Sequence, residues 1–283
     1  MDGEPGVRDG PAVRRILVGI DASPSSLAAL DAALNLAVEQ GAQVEGLYVE
    51  DLNLVRLAQL PFAREVVHVT AQVRTFELKD LERQLRAQAD RARGAIAEQA
   101  ARRGVRWRFQ VARGDIAGEL LRRSEEADLV ILGRSGWSGT HALGSTARAA
   151  LLLGSRPTIL LKFGSRMNRP IAVVADDSQV GRRALEAAAE LAQRQQRGLQ
   201  VFLLADDEAG ADRLRAELAG AIQQRQLTAR FENLPAGRWP HRLRRAVEDS
   251  DCLLVLPASL TGVEPDELVR LVGQLACPVF IIR

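Results

Sequence analysis

A glycine-rich stretch that begins at Gly133, GRSGWSGTHALGST, has the composition and position of a phosphate-binding loop. It follows the apolar run ADLVIL and precedes the helix-forming run ARAALLLG. The backbone N–H groups at a helix N-terminus are unpaired and carry partial positive charge, so they attract anions. Gly144, Ser145 and Thr146 would therefore cap this helix and face phosphates. Gly133 and Gly136 would clear space for a ribose and a phosphate chain.

A second candidate group stands at the end of the first apolar strand, where Asp21 opens the stretch DASPSS. Its carboxylate could accept hydrogen bonds from a ribose or hold a metal ion. Each feature also has a plainer interpretation, because Asp21 and Ser145 could simply cap helices, and Gly and Ser are ordinary turn residues. Both features follow buried strands and would meet at one sheet edge, and this combination favours a phosphate ligand.

Other chemistries find little support in the sequence. It contains neither GxxxxGK[ST] nor GxSxG, and its first strand ends in IDASP rather than in GxGxxG. The histidines His68, His141 and His241 lie far apart, and the cysteines Cys252 and Cys277 lie in apolar, strand-like segments. These patterns predict no catalytic residues, no metal site and inert, buried thiols.

The composition is that of a globular protein, with 47% hydrophobic and 26% charged residues in a chain of 283 residues. A net charge of +2 gives no field that would attract nucleic acid, so no nucleic-acid partner is expected. No apolar run approaches the ~18 residues that span a bilayer, so no membrane partner is expected either. Residues 1–13, rich in Gly, Pro and acidic residues, are expected to form a disordered tail on a cytoplasmic protein.

The chain repeats itself. ILVGIDASPSSLAALDAALNLA, from Ile16, is matched by IAVVADDSQVGRRALEAAAELA, from Ile171, so that Asp176 corresponds to Asp21. Apolar strands alternate with helices in each copy, which predicts parallel, doubly wound sheets that bind ligands at the carboxyl ends of their strands. The first copy is expected to have helices from Pro24 to about Gln40 and from about Val69 to Arg103. VRWRFQV is expected to be an edge strand.

These marks resemble the universal stress protein family, whose unit begins with a strand ending in V-D-x-S and closes with G-x2-G-x9-G-[ST]. The resemblance implies two tandem five-stranded parallel α/β sandwiches, Rossmann-like with strand order 3-2-1-4-5. It implies one domain over residues 14–163 and a shortened, degenerate domain over 169–283. It further implies that adenine lies between the first two strand ends and the triphosphate lies on the glycine loop. The residues implicated are Asp21, Val49, Leu132, Gly133, Gly136, Gly144, Ser145 and Thr146.

Two departures from the family pattern bear on function. Seven residues rather than nine separate Gly136 from Gly144; the shorter loop would draw the helix N-terminus away from the γ-phosphate position, or mark a branch that binds a smaller ligand, or none. In the second copy LPAS, residues 256–259, and Pro265-Asp266 replace the glycines, and proline lacks an N–H while a carboxylate repels phosphate. Nucleotide binding is therefore expected in the first domain only.

The leading hypothesis is a stress-response regulatory protein that binds an adenine nucleotide, ATP with or without Mg²⁺. The alternative is a structural or adaptor protein without a nucleotide, acting through unidentified protein partners. An enzyme, at most one with slow ATP hydrolysis, ranks last. The two domains are expected to pair within the chain through PTILLK and PVFIIR, and a homodimer remains open. The apolar segment 50–68 is expected to pack on the sheet edge or the other unit, with a lid or a partner contact as alternatives.

Overall fold

The computed structural model describes residues 13–60, 64–67, 72–75, 78–135 and 143–283. The expected tail falls almost entirely outside these residues, as does Gly136 of the glycine loop. The molecule has two halves, which are joined by the connection over residues 162–170. No helix among the described residues combines the length and apolar character needed to cross a bilayer.

The first half alternates strands and helices, with one short hairpin inserted. Its elements are β1 (Arg15–Gly19), α1 (Pro24–Gln40), β2 (Gln43–Asp51), α2 (Leu52–Ala58), β3 (Arg64–Val67), β4 (Gln72–Thr75), α3 (Leu78–Arg103), β5 (Trp107–Gly114), α4 (Ile116–Ser124), β6 (Leu129–Gly133), α5 (Ser145–Leu153) and β7 (Thr158–Leu161).

The second half repeats this alternation without the hairpin. Its elements are β8 (Ile171–Ala175), α6 (Gln179–Arg194), β9 (Leu199–Ala205), α7 (Glu208–Gln224), β10 (Ala229–Pro235), a 3-10 turn (Ala236–Arg238), α8 (Trp239–Ser250), β11 (Leu253–Pro257), α9 (Pro265–Gln274) and β12 (Val279–Ile282).

All strands except the hairpin belong to one ten-stranded sheet, in the order β10-β9-β8-β11-β12-β7-β6-β1-β2-β5. Each half is a parallel sheet with strand order 3-2-1-4-5, which confirms the predicted fold, and VRWRFQV forms the edge strand β5. The last strands, β7 and β12, pair antiparallel. The carboxyl ends of the strands in the two halves therefore lie at opposite edges of the sheet.

Two arginines, the buried Arg134 and the half-buried Arg283, cross from one half to the other. The last carbonyls of a helix have no partners within that helix, so they need donors from elsewhere. Arg134, after β6, donates to the carbonyls of Gly273, Leu275 and Cys277, at and just after the end of α9. Arg283, after β12, donates to carbonyls in the last turns of α5, those of Ala150 and Leu151. Each arginine thereby stabilises a helix end of the opposite half.

The segment between β2 and α3 differs from the prediction in two ways. α3 begins at Leu78 rather than near Val69, because the β-branched residues before it favour extended backbone and form the antiparallel hairpin of β3 and β4. Within segment 50–68, residues 52–58 form α2, whose buried side chains Val55 and Ala58 pack on α3, while Leu54 and Leu57 are exposed. Residues 61–63 and 68 lie outside the described part of the chain.

Candidate functional site

A cavity of about 310 Å³ lies at the carboxyl ends of β1, β2 and β6. The N-terminal turns of α1 and α5 and part of α4 complete its wall. Its lining residues are Gly19, Ile20, Asp21, Ser23, Ser26, Leu47, Tyr48, Val49, Ile116, Leu120, Leu132, Gly133, Arg134, Ser135, Gly144, Ser145, Thr146 and Ala147. This set includes every candidate site residue from the sequence analysis that the structure describes; the remaining one, Gly136, lies outside the described residues.

The N-terminus of α5 opens into this cavity. Gly144 is its N-cap residue, with φ −61° and ψ 153°, and it has no side chain with which to cap the helix. By contrast, α1 is capped by Ser23 and α4 by Asp115. Within α5 the first intrahelical bond is donated by Arg148, so the N–H groups of the preceding turn are directed toward the cavity rather than into the helix.

The base of the glycine loop is closed by one backbone hydrogen bond. The Gly144 N–H donates to the Arg134 carbonyl over 2.8 Å, and the Arg134 N–H donates to the Leu161 carbonyl of β7, also over 2.8 Å. The start of α5 is thereby tied to the ends of β6 and β7. These two bonds connect the helix N-terminus to the sheet.

Asp21 is oriented by a strained turn between β1 and α1. Its Oδ1 atom accepts a hydrogen bond from the Ser23 N–H over 2.9 Å, and its own N–H donates to the Ser26 hydroxyl over 3.3 Å. Ala22, between these residues, has φ 59°, a left-handed conformation that costs a non-glycine residue about 1 kcal/mol. Strain of this kind often accompanies functional sites, and no sequence signal pointed to it here.

Gly133 acts differently from the expectation. A Cβ atom at this position would lie 2.8 Å from the Ser25 carbonyl carbon and 2.9 Å from the Ser26 nitrogen. The room that the missing side chain leaves is therefore filled by the first turn of α1 and is not available to a ribose or a phosphate. Gly133 instead allows the end of β6 to approach the first turn of α1 closely.

Arg134 lines the cavity but does not direct its charge into it. Only 5% of this residue is exposed, and its guanidinium donates to three carbonyls of the second half. Burial lowers the pKa of the Arg134 guanidinium. The ionisable residues in the described lining are thus Asp21, Tyr48 and this engaged arginine.

Tyr48 is a lining residue that sequence reasoning missed. Its hydroxyl donates to Gln88 Oε1 over 2.9 Å. Burial, followed by the nearby carboxylates of Glu50 and Asp21, raises the pKa of Tyr48 to about 12, so the hydroxyl remains a donor at neutral pH. Its signal in the sequence was its position, one residue before Val49 at the same strand end.

The corresponding edge of the second half is built differently. Asp176, which matches Asp21, is 1% exposed and accepts hydrogen bonds from the Thr261 N–H, over 2.7 Å, and from Ser178. A cavity of about 430 Å³ lies there, and Arg213 is accompanied in its lining by four acidic residues, Asp177, Asp206, Asp207 and Glu217. The start of α9, at Pro265, is not among the residues that line it.

Comparisons with known proteins place the chain in a family. A model described as the universal stress protein family matches residues 12–162, more than half of the chain. The chain belongs to the universal stress protein family. Universal stress protein YxiE of Bacillus subtilis (strain 168) is 28% identical over 152 residues, which cover 52% of this chain and 98% of that protein.

Solved structures extend the likeness in fold to both halves of this universal stress protein. A universal stress protein from Archaeoglobus fulgidus DSM 4304 has a TM-score of 0.73 and 16% identity, covering 94% of this chain and 95% of its own. A functionally unknown protein from Pseudomonas aeruginosa PAO1 has a TM-score of 0.57 and 16% identity, covering 95% and 92%. At these identities the likeness establishes the shared fold.

Proposed function

We propose that this universal stress protein is a cytoplasmic stress-response regulator that binds an adenine nucleotide, ATP, in its first domain only. The two domains would correspond to residues 14–163 and 169–283, and the second would have lost the binding edge. The observation that carries the proposal is the open N-terminus of α5 at the first cavity, at which Gly144, Ser145 and Thr146 converge.

The α5 terminus has the chemistry that a phosphate requires. The N–H groups of its first turn and the helix dipole favour negative charge, and the hydroxyls of Ser145 and Thr146 add donors. Since Arg134 is engaged elsewhere, the described lining offers phosphates no uncommitted cationic side chain. Phosphate recognition would therefore depend on backbone and hydroxyl donors.

The opposite wall of the cavity suits a purine. Ile20, Leu47, Val49, Ile116 and Leu132 present apolar surface there. Ligand sites commonly combine such a surface with a few placed polar groups, and ~300 Å³ is at the lower end of their usual volumes. Adenine would lie between the ends of β1 and β2, with the Tyr48 hydroxyl held nearby by Gln88.

Mg²⁺ would fit this site as a companion of the phosphates. This ion is commonly held by one or two carboxylates together with phosphate oxygens and water, and Asp21 supplies one carboxylate at the rim. No group of three or more acidic, His or Cys side chains that could hold a metal occurs among the described residues. The protein would therefore recruit the ion with the nucleotide rather than bind it beforehand.

The second half lacks the features that support binding in the first. Counting back from Pro157 and Pro278, which precede equivalent strands, Pro265 stands at the position of Gly144. Proline has no N–H, and Asp266 and Glu267 place negative charge in the first turn of α9. The nearby cavity is rich in carboxylates, which would repel a phosphate.

Isothermal titration calorimetry of the full chain with ATP, ADP and AMP, each with and without Mg²⁺, tests this proposal. We expect one nucleotide per chain, with ATP bound most tightly. A stoichiometry of two would contradict the assignment to the first domain. Absence of binding at millimolar nucleotide would favour the adaptor function, in which the glycine loop is a structural turn and protein partners carry the activity.

A further inference from the structure

Cys252 and Cys277 lie directly opposite each other at the starts of two neighbouring strands. The parallel register of β11 and β12 pairs Leu254 with Val279, so the residues two positions earlier, the two cysteines, are also opposite. Adjacent strands lie about 4.8 Å apart, and disulfides join Cα atoms about 4.4–6.8 Å apart. The backbone spacing is therefore that of a disulfide.

The side chains of the two cysteines share one face of the sheet. Side chains alternate along a strand, so Cys252 points to the same side as Leu254, and Cys277 to the same side as Val279. All four belong to a single apolar cluster. The two thiols are close enough for each to shift the pKa of the other. Both thiols are free.

The contact makes the two sulfur atoms chemically unequal. The hydrogen bond from Cys277 lowers the pKa of the Cys252 thiol, while the same hydrogen bond, followed by burial, raises the pKa of Cys277. A thiol with a lowered pKa is the one that attacks oxidants and disulfides. Twenty-four residues separate the two cysteines in the sequence, and no spacing motif there indicates that they are neighbours.

Each cysteine also borders a cavity at the surface. Cys277 is 6% exposed and lines a surface cavity of about 340 Å³ together with Lys162 and Arg166. Cys252 is 1% exposed and lines a shallow cavity of about 350 Å³ on another side. The pair therefore lies between two surface cavities, each bordered by one of the cysteines.

We propose that Cys252 and Cys277 are an oxidative modification site, a dithiol that peroxide-type oxidants convert into a disulfide within the chain. The site lies outside the nucleotide cavity, and the proposal does not depend on nucleotide binding. It does touch the junction of the two halves, because the Cys277 carbonyl accepts a hydrogen bond from Arg134 over 3.2 Å.

The chemistry balances with one hydrogen peroxide per pair. The Cys252 thiolate attacks one peroxide oxygen, the O–O bond breaks, hydroxide leaves, and Cys252 becomes a sulfenic acid. The Cys277 sulfur then attacks the Cys252 sulfur, so that an S–S bond forms, the S–O bond breaks and a second hydroxide leaves. The two thiol protons convert these hydroxides to water. Both cysteines are oxidised, and the peroxide is reduced.

The test uses the full, folded chain, reduced and then treated with hydrogen peroxide. Denaturation in the presence of iodoacetamide follows, with mass spectrometry of the intact chain and of its peptides. We expect both cysteines to become resistant to alkylation together, a mass lower by two hydrogen atoms, and a linked peptide pair that dithiothreitol separates. Cys252→Ala and Cys277→Ala are the matched controls, and neither should lose these hydrogens.

Thermal unfolding of the oxidised chain provides a second measurement. A disulfide that fits the native fold and closes this loop should raise Tm by about 5 °C. Three results would overturn the proposal: both thiols alkylated in full after peroxide treatment, a disulfide between chains as the main product, or a cross-link that forms only in urea-unfolded protein.

Discussion

The two halves of the molecule share a strand order and differ at the edge where each could bind a ligand. In the first half Gly144 is the N-cap residue of α5, and its N–H donates a hydrogen bond to the carbonyl of Arg134. In the second half Pro265 stands at that position and has no N–H to tie, while the buried Asp176 is engaged by Thr261. A strand order thus survives changes at this edge, because the sheet depends on many apolar residues and the edge on a few backbone and side-chain groups.

The largest expected effect separates the two edges directly. Gly144→Asp places a favoured N-cap residue at this position, so the chain should still fold. Its carboxylate would accept hydrogen bonds from the N–H groups that we propose bind phosphate. Two unit charges ~4 Å apart repel by about 4 kcal/mol at an effective dielectric near 20, which corresponds to about 1,000-fold weaker ATP binding. Calorimetry measures this change.

Ser259→Asp is the matched control for that substitution, since it adds the same charge to an exposed position in the corresponding loop of the second half. Its ATP affinity should equal that of the unmodified chain. Equal losses in the two variants would show that the effect of Gly144→Asp is not local to the first cavity.

The next comparison concerns the two arginines that cross between the halves. Arg134→Ala would leave three carbonyls without their donor and should lower the free energy of unfolding by about 3 kcal/mol. Arg283→Ala removes the donor of two carbonyls from a less buried position and should cost about 1 kcal/mol. Urea unfolding of both variants measures which one loses more free energy of unfolding. A larger loss for Arg283→Ala would reverse our ranking of the two contacts.

Tyr48 distinguishes the halves by its response to alkali. The strand registers place Leu203, which does not titrate, at the matching position in the second half. The pKa of Tyr48 rises from 10.0 to about 12 on folding, so the unfolded chain loses this proton first. The contribution of Tyr48 to the free energy of unfolding should therefore be fully present below pH 10 and decline by about 2 kcal/mol as the pH rises toward 12.

Two measurements check the behaviour of Tyr48. It is the only tyrosine in the chain, so the absorbance of the phenolate reports its titration alone. The free energy of unfolding of Tyr48→Phe should decline less over the same pH range than that of the unmodified chain. A midpoint near 10 in the folded chain would contradict the burial of this hydroxyl.

The smallest expected effect is that of a glycine substitution in the turn after the first strand of each half, which should change the stability of the fold in opposite directions. Ala22 has φ 59°, whereas Asp177, at the matching position, is not among the residues with positive φ. Ala22→Gly should relieve strain and stabilise the fold by about 1 kcal/mol, while Asp177→Gly should destabilise it by up to about 1 kcal/mol through greater freedom of the unfolded chain. Thermal unfolding of the two variants side by side would show the difference. The same sign in both would mean that the turn at Ala22 stores no strain.

The sequence predicted most of the sheet because its information is local and repeated. Unbroken apolar runs such as RILVGI identify strands buried on both faces, and their alternation with helices leaves few topologies. The hairpin of β3 and β4 was missed because its short, mixed runs resemble the start of a helix as much as a strand. The end of α3 at Arg103 was predicted correctly, whereas its start was not.

The sequence indicated which residues line the candidate site but not which contacts each of them makes. Asp21, Val49, Leu132 and Gly144, which the family pattern singles out, all line one cavity in the structure. The role of Gly133 depends on how closely β6 approaches α1, which no local pattern encodes. The direction of the Arg134 side chain and the contact of the two cysteines likewise depend on how α9 and β12 are placed.

From either edge inward, the ten-stranded sheet has the same order, like the interface of two identical subunits joined by their last strands. In a symmetric dimer every substitution appears twice, so an interface residue must suit both of its positions at once. Here Arg134 has no symmetric counterpart, because Ala258 stands at the matching position. Joining the halves in one chain lets each residue at the junction change singly, which two identical subunits cannot do.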